Sequence, residues 1–136
     1  MKNLSLLLIS GLFLFFLQSC GGVSQGNGND ETRMNVEEFL SHLDISIFEG
    51  SEIISTESDE IKTFVPAETA SPEEIMGYYI PKVEEALTDR DPWVRQIKAA
   101  TTIQYRRGYT GWNFGIILNP EKRDGGYEVS IIYNRL

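Results

Sequence analysis

Residues 101–136 read TTIQYRRGYTGWNFGIILNPEKRDGGYEVSIIYNRL, and their alternation decides the fold class. Ile103 and Tyr105 share one face of an extended chain. Trp112, Phe114, Ile116 and Leu118 do the same, and so do Tyr127, Val129, Ile131 and Tyr133. The opposite face carries Thr102, Gln104, Arg106, Asn113, Glu128, Ser130 and Asn134. Apolar residues at a period of two over three segments predict an antiparallel sheet with one face buried. Gly108-Tyr109-Thr110-Gly111 and the stretch from Asn119 to Gly126 are the connecting turns. Leu118 set against Tyr127, Phe114 against Ile131 and Trp112 against Tyr133 keeps the large side chains on the buried face. The C-terminal part is therefore expected to be a three-stranded meander.

Upstream, the pattern changes from period two to helical spacing. Ser71-Pro72-Glu73-Glu74 carries the strongest local signal in the chain. Ser71 is a helix cap, Pro72 suits the first helical position and Glu74 completes a capping box. Ile75, Met76, Tyr79, Ile80, Val83 and Leu87 then form one apolar stripe. Pro81 lies off that stripe; it lacks a backbone donor and crowds the Gly77 carbonyl, which predicts a kink. Asp91-Pro92 is the expected end of the helix.

Before it, SEIISTESDEIKTFV (51–65) reads as two short strands around Glu57-Ser58-Asp59-Glu60, and Pro66 closes the second or marks it as an edge. Asn35 and Glu38 open an earlier helix, with Met34 placed to staple onto Phe39. Val36, Phe39, Leu40 and Leu43 form its apolar face, and Ile45 to Phe48 follows as an extended segment. The expectation is a single α+β domain over residues 33–136: a short N-terminal helix, strands, and one kinked helix packed on an antiparallel sheet that ends in the meander. About 100 residues suffice for one core and not for two.

The sequence before the domain has a different character. Lys2 precedes the apolar run LSLLLISGLFLFFL (4–17), which is shorter than the ~20 residues a membrane-spanning helix needs. It has the length of a secretory signal. Leu17-Gln18-Ser19-Cys20 follows, and Cys20 is the only cysteine. Leu17, Ser19 and Cys20 resemble the lipobox of bacterial lipoproteins. The resemblance implies cleavage before Cys20, acylation of its thiol and a signal peptide over 1–19. Each buried lipid methylene adds ~0.8 kcal/mol, so two or more chains anchor stably. Residues 20–32 then form a lipid-anchored flexible tether rich in Gly, Asn and Ser, with a span of ~20 Å. Gly21 is not the aspartate that holds some lipoproteins at the inner membrane, which favours the outer one. The domain's order, a capped tyrosine-bearing helix before a Trp-led run of strands, is similar to small domains common in exported bacterial lipoproteins. That similarity implies no activity.

Composition narrows the function. The net charge is −8, with sixteen acids against three bases in residues 21–89 and eight bases against four acids in residues 90–136. Such acidity argues against nucleic acid as a partner. With its cysteine assigned to lipid, the chain has no disulfide or thiol chemistry to offer. One histidine, His42, falls on the polar flank of its helix and reads as a surface residue. A zinc site would need three carboxylates or water beside it, so no metal and no cofactor is expected. No nucleophile-elbow motif and no phosphate-cradling glycine loop is present. Glu57-Ser58-Asp59-Glu60 lacks the spacing of a calcium loop and reads as a solvated turn.

One stretch suggests contact with something else. Gln104 to Trp112 places two arginines and three aromatics around a tight turn, and such residues are enriched where proteins bind. Arg106, Arg107 and Tyr109 are the candidate contact residues, and Ile117 and Ile132 interrupt the polar face nearby. Three readings follow: a lipid-anchored, non-enzymatic module that binds an envelope protein; a binder of a glycan or anionic envelope ligand at Arg106, Arg107 and Tyr109; and a small carboxylate-based hydrolase.

Overall fold

The computed structural model describes residues 31–135, apart from the side chains of Thr32 and Tyr109. Leu17, Ser19 and Cys20, with the rest of the expected signal and most of the expected tether, lie outside the described residues. The domain is α+β: six antiparallel strands and two helices. A 3₁₀ turn at Glu31–Arg33 leads into helix α1 (Val36–His42). Strands β1 (Glu52–Thr56) and β2 (Glu60–Pro66) follow, then helix α2 (Pro72–Leu87). Strands β3 (Trp93–Ala99), β4 (Thr102–Arg107), β5 (Trp112–Leu118) and β6 (Gly126–Arg135) complete the chain. Their order in the sheet is β1-β2-β6-β5-β4-β3.

Both helices are defined by their ends. Asn35 accepts from Glu38 N–H at 2.9 Å while Glu38 Oε2 accepts from Asn35 N–H at 2.9 Å. Ser71 and Glu74 form the same reciprocal box on α2. At the other end of α1, Asp44 takes a positive φ of 56°. Its N–H bonds Ser41 O and that of Ile45 bonds Leu40 O, the pair that closes a Schellman motif. Helix α2 runs through Pro81 and ends at Leu87, before Asp91-Pro92. Its 16 residues give a length of about 24 Å, enough to cross the four strand spacings, about 19 Å, that separate β2 from β3.

The core lies between the helices and one face of the sheet. Ile61, Ile131, Ile116 and Ile103 form one row across four strands, each pair directly opposed and all buried. A second row holds Tyr105, Phe114 and Tyr133. Phe39 of α1 stacks flat on Tyr133, with centroids 4.1 Å apart, and meets the edge of Phe114 at 5.2 Å. From α2, Ile75, Met76, Tyr79, Val83 and Leu87 are buried against the sheet.

The structure departs from the sequence reading at three places. First, β3 is a strand that the alternation hid, so four consecutive strands, not three, end the chain. It is a sheet edge, and after the buried Trp93 its helix-facing positions hold Arg95 and Lys98 rather than apolar residues. Both reach Glu84 Oε1 on α2, at 3.0 and 2.8 Å. The Lys98 hydrogen bond, assisted by Arg95, holds the Glu84 carboxyl below its usual range. Val94 and Ile97 are left facing outward, which inverts the hydrophobic signal.

Second, β5 and β6 pair two residues away from the expected register: Leu118 opposes Val129, Ile116 opposes Ile131 and Phe114 opposes Tyr133. The tight turn forms at Asp124-Gly125, whose φ values of 51° and 84° are both positive, and Arg123 and Gly126 exchange two backbone hydrogen bonds around it. A shift of two leaves every residue on its face, which is why the core assignments survive. Third, Ile45–Phe48 forms no strand. It is a loop tied down by tyrosines: Phe48 N–H donates to Tyr79 Oη at 2.9 Å, and Tyr78 Oη donates to Ser46 O at 2.9 Å.

The two turn glycines should respond differently to substitution. A Cβ on Gly126 would collide with the Val65 carbonyl oxygen and sit 2.5 Å from Phe64 Cζ, whereas one on Gly125 meets nothing within 4 Å. Gly125→Ala is expected to cost about 1 kcal/mol for its positive φ, and Gly126→Ala about 2 kcal/mol or more, from displaced backbone. Urea titration of the two variants checks the order.

Tyr79 gives an alkaline signature. Burial pushes its phenol from 10.0 up to about 12. Between those values the unfolded chain releases a proton that the folded chain keeps. Stability is therefore unaffected below about pH 10 and falls by about 2–3 kcal/mol as the pH rises to about 12. Urea midpoints between about pH 9.5 and about pH 11.5 are expected to drop further in the wild type than in Tyr79→Phe.

Candidate functional site

The arginine-bearing turn between β4 and β5 divides its residues between the two faces of the sheet. Arg106 is exposed on the outer face, opposite Val94 and Asn113. Arg107 does not join it outside, contrary to the sequence reading. Period two places it with Ile103 and Tyr105 on the helix-facing side, and the structure follows that rule. Its Nε is buried 3.7 Å from Glu31 Oε2, an ion pair without a hydrogen bond. Tyr109 lies in the 3₁₀ turn Gly108–Thr110, and its side chain is outside the described residues.

Arg107 belongs to a cluster centred on Glu31. This residue was expected in the tether, yet only 6% of it is exposed. Its Oε1 accepts from Arg90 Nη2 at 2.5 Å and lies 3.2 Å from His42 Nε2. Its Oε2 accepts from the Trp93 indole at 3.1 Å. Its backbone carbonyl accepts a short hydrogen bond from Tyr133 Oη. His42 is thus no free surface histidine: its Nε2 also lies 2.5 Å from Arg90 Nη2. One nitrogen position cannot donate to Glu31 and accept from Arg90 at once, so the imidazole is held between them. The arrangement joins the 3₁₀ turn, α1, the α2–β3 loop, β3, β4 and β6 at one point.

Beside this cluster, the sheet end opens into a cleft of about 290 Å³. Trp112, Tyr133, Asn134 and Arg135 line it from β5 and β6; Arg33, Met34 and Asn35 from the start of the domain; Ser58 and Asp59 from the β1–β2 turn. The turn is fixed there by its backbone, since Ser58 O accepts from Val36 N–H at 2.9 Å and Asp59 O from Tyr133 N–H at 2.8 Å. The sequence reading took Glu57 to Glu60 as a solvated turn and placed Trp112 in the core. The signal it missed is that Trp112 and Arg135 share a face at the end of their strands.

The outer face of the sheet carries a third feature. Val94, Ile97 and Ile117 are 58%, 43% and 38% exposed. Ile132, half-buried, stands on β6 directly opposite Gly115, where a Cβ would stand 3.4 Å from Ile132 Cγ1. They share the outer face with Arg106, which stands beside Val94, and with Gln104, which stands between Ile97 and Gly115.

No family profile, curated protein or solved structure matches the chain. Among the described residues, no helix is long and apolar enough to cross a membrane, and no three His, Cys, Asp or Glu side chains gather to hold a metal.

The Glu31 cluster is expected to matter to stability far more than the outward arginine. Glu31→Gln leaves two guanidiniums without their counter-charge and is expected to cost about 2–4 kcal/mol, discounted for the partial exposure of Arg90. Arg106→Ala is expected to change stability by no more than about 0.5 kcal/mol. Chemical unfolding of both variants measures the contrast.

Proposed function

We propose that this protein is lipid-anchored in the bacterial cell envelope, at the outer membrane, through Cys20, and that its domain binds another protein without catalysing a reaction. The anchoring rests on the Leu17-Gln18-Ser19-Cys20 motif behind its apolar run. The observation that supports a protein partner is the outer face of the sheet, which carries Val94, Ile97, Ile117 and Ile132 together with Arg106. Apolar side chains with one arginine among them are the composition of an interface centre.

The form of the sheet favours docking on its face rather than at its edges. Both edge strands carry a bulge, between Ile53 and Ser55 in β1 and between Arg95 and Ile97 in β3. Bulges disrupt the run of backbone groups that an added strand would pair with. The partner that fits offers aliphatic contacts beside a carboxylate that meets Arg106. Its capture would be local to a membrane surface, where the anchor raises effective concentration.

A photo-crosslinking residue at Val94 or Ile97, in intact cells, is expected to trap the same protein from both positions. A probe at Glu73, exposed on α2, is expected to trap nothing, and Cys20→Ala to lose the adduct. Adducts of equal yield from Glu73, or none from Val94 and Ile97, would overturn the reading.

A further inference from the structure

The cleft at the sheet end has chemistry of its own, separate from the outer face. Three rings stack toward it. Phe39 lies parallel to Tyr133 at 4.1 Å, and Trp112 lies on Tyr133 at 4.7 Å with 25° between planes. Phe39 and Tyr133 are buried; Trp112, last in the stack, is half-exposed and lines the cleft. Among the described residues, the ring contact recorded for Trp112 is with Tyr133 alone. An indole supported from beneath and open to a cleft is a platform for a flat apolar surface.

The polar groups around it mix donors and acceptors. Arg135 supplies guanidinium donors, Asp59 a carboxylate and Asn35 an amide. The Asn35 Oδ1 is used by Glu38 N–H. The Asn134 side chain belongs to the outer face with Asn113 and Arg106 and takes no part in the polar rim around Trp112. The Asp59 carboxylate repels a phosphate anion. A pyranose ring meets every demand. Its hydroxyls both donate and accept, and its C–H face suits the indole. The volume, about 290 Å³, stands at the lower end of ligand pockets and suits one ring.

We propose that the cleft holding Asn35, Asp59, Trp112 and Arg135 binds a saccharide ring, stacked on Trp112 with its hydroxyls held by Asp59, Asn35 and Arg135. The site is independent of the protein-binding face: Trp112 and Arg135 face the helix side of the sheet and Arg106 the other.

The chain holds two tryptophans, and this makes the test internal. Trp93 donates its indole hydrogen to Glu31 and serves as the reference. The full chain in detergent is titrated with glucose, N-acetylglucosamine, glucuronate and their short oligomers, and separately with inorganic phosphate, while both indole N–H resonances are followed. A saturable shift of Trp112 by at least one sugar, with Trp93 nearly still and phosphate without effect, is expected. By calorimetry, Trp112→Ala is expected to weaken binding about tenfold. Arg135→Ala, at an exposed position, is expected to weaken it about threefold or more with the unfolding midpoint unchanged. The second variant keeps the test informative if the first fails to fold. No Trp112 shift with any sugar, an equal shift with phosphate alone, or full affinity in Arg135→Ala would each overturn the proposal.

Discussion

A carboxylate removed from water must find donors within the protein, and Glu31 finds them in separate parts of the chain. Arg90 comes from the α2–β3 loop, Trp93 from β3, Arg107 from β4 and His42 from α1. Such a group costs several kcal/mol if left alone, so these segments are constrained together once Glu31 is buried. The desolvation is shared unevenly. The Glu31 side chain is 8% exposed, while Arg90 keeps 35% and Arg107 22%. The anion is inside and the cations keep part of their hydration, which lowers the cost of the pair. Glu31 is thereby part of the folded domain, two residues ahead of the expected start at residue 33. Residue type and composition place Glu31 in a polar linker; only its tertiary partners place it in the core.

The sheet depends on the same division between faces. The helix-facing side carries the isoleucine row and the aromatic stack, and the Glu84 carboxylate ties the edge strand β3 down with Arg95 and Lys98. Charged side chains on the inner side of an edge strand, with a bulge between them, oppose pairing with a second chain. Their use inward turns Val94 and Ile97 outward. The apolar outer surface is therefore coupled to how the edge is protected: the side chains that would have packed beneath α2 are displaced to the open face.

What the sequence made legible follows the range of the interactions. Capping boxes, the αL residue after α1 and the D-G turn are set by residues a few positions apart, and the two caps were read directly from Asn35/Glu38 and Ser71/Glu74. The faces of β4, β5 and β6 were read from period two, which is insensitive to a register shift of two; hence Leu118, Ile116 and Phe114 were placed inside although their partners were misassigned. β3 was hidden because salt bridges to α2 replace apolar burial at Arg95 and Lys98. The pairing of β2 with β6 joins residues some seventy positions apart, such as Ile61 and Ile131, and no local pattern encodes it. For the candidate contacts, alternation alone placed Arg107 opposite to Arg106. Grouping Arg107 with Arg106 and Tyr109 sets that rule aside, and the structure places Arg107 where the rule does, beside Glu31.

The two features meet in Tyr133. Its hydroxyl is bonded to the Glu31 carbonyl, one ring face is stacked on Phe39 and the other supports Trp112. A ring held at its polar tip and on one face has little rotational freedom, so the indole resting on it is also placed before any ligand arrives. Pre-placement reduces the ordering cost that a shallow cleft of few contacts would otherwise have to overcome. The buried carboxylate thus acts on the cleft without lining it: it positions the β6 end, the β6 end positions Tyr133, and Tyr133 positions Trp112. Loosening Glu31 should then disturb the platform while leaving the outer face around Arg106 intact, because Arg106 shares no partner with the cluster.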